Sequence, residues 1–156
     1  HRKIAVLGGP ATSHPSMMRR QGAQQAMEDA GIVFNDKLYG LSNYDFESAY
    51  HAMNGLLARR AEFTALFAMS DVIAFGAIRA LVSAGLRVPE DVSVIGFDGI
   101  TMSRYCVPVM TTIVQPSEQI ALQSIELLVR QIEHGTPAQT VTLQPELQQG
   151  ESVRAI

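Results

Sequence analysis

Four histidines, one cysteine and fifteen carboxylates give this chain its widest chemical repertoire, and their spacing excludes most of it. His1, His14, His51 and His134 show no metal-ligand spacing, and the single Cys106 cannot complete a set. Ser13 and His14 are adjacent, without the strand–turn–helix elbow or triad order of a nucleophilic hydrolase. Gly8-Gly9-Pro10 is neither the G-x-G-x-x-G of a dinucleotide site nor a Walker A loop. No catalytic residue, metal or cofactor is therefore expected. What remains is a set of polar side chains that each follow a short apolar run. Thr12, Ser13, His14, Ser16 and Arg19 follow the first run, Asn43 and Tyr44 the second, and Ser70 and Asp71 the third. Asp98, Thr101 and Arg104 follow the fourth, and Gln115 the fifth. Hydroxyls, cations, carboxylates, amides and one aromatic ring suit a polyhydroxylated ligand. Carboxylates and amides bridge vicinal hydroxyls, and a ring stacks on the apolar face of a sugar.

These residues need elements to place them. Residues 4–7, 64–69, 92–97 and 110–114 are short apolar runs closed by polar or turn residues, and they read as buried strands. A weaker strand is expected over 36–40. Helical periodicity covers 16–30, 46–60 and 71–84, with Gly31 and Gly85 as stops. Asp71 reads as the cap of the third helix and His14 as a surface loop residue. Strand and helix alternate, which predicts an α/β fold: a parallel sheet with helices on both faces and right-handed crossovers. In such sheets ligands bind beyond the carboxyl ends of the strands, where the polar residues above fall. Residues 117–134 form a long amphipathic helix between Pro116 and Gly135, with Ile125, Leu128 and Ile132 on its stripe. Two extended segments, 140–143 and 147–153, follow it.

The composition bounds the partners. Apolar residues at 47% against 17% charged mark a globular domain. A net charge of −3 disfavours direct nucleic-acid binding by this piece. No apolar run is long enough to span a membrane. The lone cysteine makes a reducing cytoplasm the expected setting. A chain that opens directly on a strand is expected to be a fragment of something longer.

The run Val88-Pro89-Glu90-Asp91-Val92-Ser93-Val94-Ile95-Gly96-Phe97-Asp98, continued by Met110-Thr111-Thr112-Ile113-Val114-Gln115-Pro116, resembles the LacI/GalR family of transcription regulators. Arg19-Arg20-Gln21-Gly22, Ser48-Ala49-Tyr50 and Ser70-Asp71-Val72-Ile73-Ala74-Phe75-Gly76 fall in that family's order, so the resemblance covers residues 2–153. It implies the C-terminal subdomain of a periplasmic-binding-protein-like core, Rossmann-like in its sheet. Residues 1–115 would be that subdomain, 116–136 a crossover helix packing on an N-terminal subdomain, and 137–156 returning strands. Carried over by position, Arg19, Tyr44, Ser70, Asp98 and Gln115 would contact the effector, with Ser13 and His14 beside them. Phe75, Arg79, Met102 and Tyr105 would lie in a homodimer interface. Two departures from the family pattern are Ala49 for a frequent glycine and Gly150 for a frequent arginine, the second bearing on pairing of the last strand. The expected function is effector binding, the effector a sugar or derivative, in a repressor whose DNA contact lies in a separate headpiece. The alternatives are a periplasmic sugar-binding transport protein of the same fold and a flavodoxin-like or nucleotide-using enzyme.

Overall fold

The computed structural model describes residues 1–60 and 62–156. Strand β1 (Ile4–Gly8) leads into α1 (His14–Asp29), and a 3-10 turn (Asp36–Leu38) into β2 (Tyr39–Leu41). Then come α2 (Phe46–Ala58), β3 (Ala65–Ala68), α3 (Asp71–Ser83) and β4 (Ser93–Asp98). A second 3-10 turn (Thr101–Arg104) precedes β5 (Thr111–Val114), α4 (Ser117–His134) and β6 (Glu146–Gln148). The sheet order is β2-β1-β3-β4-β5-β6. Its first five strands are parallel, and β6 runs antiparallel against β5 with Ile113 opposite Leu147.

Chain order and crossover handedness fix the layers. The step from β1 out to β2 and the steps back across β1 to β3 and on to β4 run in opposite directions along the sheet. Right-handed connections therefore put α1 on one face and α2 with α3 on the other. The second face is sealed: Leu66, Val94, Met53, Leu56, Ile73 and Leu81 are at most 1% exposed. On the first face, α1 buries only Ser16 and Met27. An open apolar groove of about 800 Å³ runs beside it, floored by Phe67, Ile95, Phe97 and Ile113.

Several boundaries differ from the sequence reading. Helix α1 starts at His14, two residues early, because Pro15 in its first turn is pre-set for helix and has no N–H to satisfy. His14 is thus a helix residue, not a loop residue. Residues 36–38 form a 3-10 turn, stabilised by the Asn35 side chain accepting from the Lys37 amide, so the strand begins only at Tyr39. Ser70, not Asp71, caps α3, its hydroxyl accepting the Ile73 amide at 3.1 Å. Residues 140–143 form no strand, and only three residues of the tail pair in the sheet. Beyond them the chain still binds closely: the Glu151 amide donates to Val109 O at 2.7 Å. A Cβ at Gly150 would strike the backbone of Val109 and Met110, so a side chain there would force this segment away. Helix α4 has the expected bounds, ends on Gly135 at φ 64°, and buries none of its residues.

Candidate effector site

Arg19 lies one turn into α1, on the side that overhangs the carboxyl end of β4. Its guanidinium lies over the Phe97 ring, 3.8 Å from the centroid, so stacking fixes the plane of the fork. From there Nη1 donates to the Met69 carbonyl at the end of β3, and Nη2 donates to Asp98 Oδ1 at 3.1 Å. The pair is sheltered, with the side chains 16% and 26% exposed. Gln115, just past β5, donates its amide to the same Oδ1 at 2.7 Å. Helix α1 and the ends of β4 and β5 therefore bring one cation, one carboxylate and one amide to a single point.

Asp98 occupies an unusual backbone state, φ 114°, followed by Gly99 at φ 71°. A non-glycine residue in that region costs of order 1–3 kcal/mol and persists only where its surroundings hold it. Burial pushes the Asp98 carboxyl above the usual carboxylate range, while the Arg19 charge and the Gln115 amide oppose that shift. Among the described residues no donor reaches Asp98 Oδ2. The site thus offers an acceptor oxygen and unspent guanidinium hydrogens next to an aromatic edge. That is a constellation for binding hydroxyls, and it holds no paired acid and base and no activated nucleophile.

The other expected contacts sit differently. Tyr44 has left-handed backbone (φ 59°), its ring sits against Gly9, and among the described residues its buried hydroxyl has no partner. It packs on the end of β1 and does not join the Arg19 cluster. The Ser70 hydroxyl is spent on the α3 cap, and the residue is 4% exposed. Ser13 holds the N-cap position of α1 without a side-chain bond there, and His14 is exposed on the first turn. Arg104 turns away to Gln148 Oε1 at 3.1 Å. Phe97 and the Met69 carbonyl were not foreseen. Phe97 could have been found from strand alternation, which puts it on the α1 side next to Asp98; a backbone carbonyl leaves no trace in residue type. The large apolar groove borders Arg19 and Phe97 but is nearly free of polar groups. The hydrogen-bonding groups gather at the strand ends, and the groove presents an apolar surface.

Residues 1–153 match the periplasmic binding protein-like domain. The chain belongs to that family. Within it the LacI/GalR resemblance holds across the domain. The chain is similar to the transcriptional repressor PurR of Histophilus somni, at 36% identity over all of this chain and 47% of the relative. It is similar in structure to the regulator CelR in its cellobiose complex, with TM-score 0.93, 35% identity, and coverage of 97% of this chain and 47% of that one. A dimeric Lac repressor gives TM-score 0.91 at 25% identity, covering 98% and 56%. The domain spans about half the length of the curated relatives it matches. Those relatives are transcription regulators, so the transport alternative is not favoured. Among the described residues no helix is long and apolar enough to cross a membrane.

Proposed function

We propose that this domain is the effector-binding and dimerisation part of a LacI-type repressor, and that its effector is a sugar or close derivative. The convergence of Arg19 from α1 with Asp98 and Gln115 at the ends of the parallel strands β4 and β5 carries the reading. The similarity to a regulator in complex with cellobiose supports the ligand class. The domain forms one wall of the site, and an N-terminal subdomain outside these residues forms the other. The bare stripe of α4, with Ile125 62%, Leu128 51% and Ile132 73% exposed, packs on that subdomain. Ligand held between the two walls shifts their relative orientation, and that shift reaches operator DNA through a headpiece elsewhere in the protein. The site binds and does not turn over, in a cytoplasmic setting.

The homodimer surface is the outer face of α3 with the turn after β4. Met102 and Tyr105 stand 59% and 76% exposed there, with Arg79 exposed and Phe75 partly buried beside them. Sedimentation of the domain should show a dimer at high micromolar concentration, and a monomer would remove this interface.

The effector reading is tested by thermal shift of the full-length protein against sugars, cellobiose included, sugar phosphates and purines. A ligand at 100 times its Kd adds about 2.7 kcal/mol of stability. One sugar should shift the wild type and leave Arg19→Ala and Asp98→Ala unmoved. A shift that survives both substitutions would place the ligand elsewhere.

A further inference from the structure

Asp71 is the one fully buried carboxylate among the described residues, at 0% exposure, and it touches neither Arg19 nor the open crevice. It opens α3 behind the Ser70 cap, on the sealed side of the sheet. Both of its oxygens are committed. Oδ1 accepts the Thr112 hydroxyl of β5 at 2.5 Å, and Oδ2 accepts the Ile100 amide at 2.9 Å. Gly96 of β4 leaves the space that Oδ1 fills, since a Cβ there would collide with it. At Gly99 a Cβ would collide with Val114, so the turn is pressed against β5.

Between those points lie Asp98 at φ 114° and Gly99 at φ 71°. Two successive left-handed residues relax unless both ends of the turn are held. The upstream end is held by β5, where the Gln115 amide donates to Asp98 O at 3.2 Å. The downstream end is Ile100, whose amide goes to Asp71. A carboxylate is an expensive way to fill a packed interior, and an apolar residue would fill it more cheaply if packing were its only use. We propose that Asp71 is a positioning residue, whose buried carboxylate pins the 98–100 turn so that the Asp98 carboxylate faces Arg19 and Gln115. The role in effector binding rests on the proposed function; the geometric role does not.

The test is amide exchange by NMR on the ligand-free domain, with rotation of the Arg19 guanidinium as a second signal. In Asp71→Ala the Ile100 amide should exchange about tenfold faster relative to Val6 and Leu66, the loss of one hydrogen bond's worth of protection. Arg19 should lose its hindered rotation in the same variant. Thr112→Val, which keeps the shape of the core, should move both signals in the same direction, and Thr112→Ser should restore them. A purely structural Asp71 would speed all amides together and leave the ratio unchanged. An unchanged ratio with Arg19 still hindered in Asp71→Ala and Thr112→Val would overturn the proposal. The ligand screen on the wild type is read separately: silence there removes the effector reading without altering the exchange ratio.

Discussion

The two faces of the sheet are made by the same strands and end in different states. Along β3, Leu66 and Ala68 are buried under α2 and α3, while Ala65 and Phe67 between them line the open groove. Along β4, Val94 and Gly96 are buried and Ile95 and Phe97 are partly exposed. Both sets are mostly apolar, as expected for a parallel sheet made to be covered twice. An apolar run in a strand therefore reports that both faces are packing surfaces. It does not report which segment does the covering. The candidate site residues follow the same division: Arg19 reaches Asp98 from the open side, and Asp71 accepts the Ile100 amide from the sealed side.

Truncation should separate the faces most sharply. Leu81→Ala, at 0% exposure under the sheet, should cost about 2–5 kcal/mol in urea denaturation, because it leaves a cavity that the packed α2–α3 layer cannot close. Ile95→Ala, on the groove floor, should cost about 1 kcal/mol, since that side chain is only partly covered. Equal losses would mean that the groove is closed in solution.

Helix starts give a smaller contrast of the same kind. Ser70 caps α3 with its hydroxyl, whereas Ser13 stands at the start of α1 without a side-chain bond. Ser70→Ala should therefore lower stability by about 1 kcal/mol. Ser13→Ala should leave the midpoint within about 0.5 kcal/mol of wild type, as surface changes do. A matching loss at Ser13 would show that α1 is capped in solution by a bond absent here.

These contrasts also mark where sequence reasoning reached. The four apolar strands and α4 were legible because their signals are local: short continuous apolar runs for the strands, and for the helix a proline before and a glycine after. Arg19, Asp98 and Gln115 were legible as candidates because each follows a strand, and the parallel topology brings them together. The role of Asp71 was not legible. Ser70 and Asp71 are both good capping residues, and the choice between them rests on Thr112, forty-one residues away in sequence. Tyr44 lies apart from the Arg19 cluster for a related reason. Its residue type allows stacking on a ligand, but the absence of a Cβ at Gly9 lets its ring pack against the end of β1.

The smallest expected effect concerns charge, and its sign differs between the two sides. Asp91 lies at the surface, where the Arg87 guanidinium forks onto both its oxygens at 2.9 Å. Those hydrogen bonds, with the Arg87 amide behind them, lower its pKa from 3.8 to about 2. A folded value below the unfolded one means stability that is present above pH 3.8 and lost as pH falls through about 2. Buried Asp71 is shifted upward, chiefly by desolvation, against its hydrogen bonds from Thr112 and Ile100. Its contribution is therefore present below pH 3.8 and lost as pH rises through its folded value. Urea midpoints of wild type and Asp91→Asn should thus differ at pH 5 and converge at pH 2. Because the pair is exposed, salt should shrink the pH 5 difference. A difference that stays constant from pH 5 to pH 2 would show that the Arg87 fork does not hold Asp91 in solution.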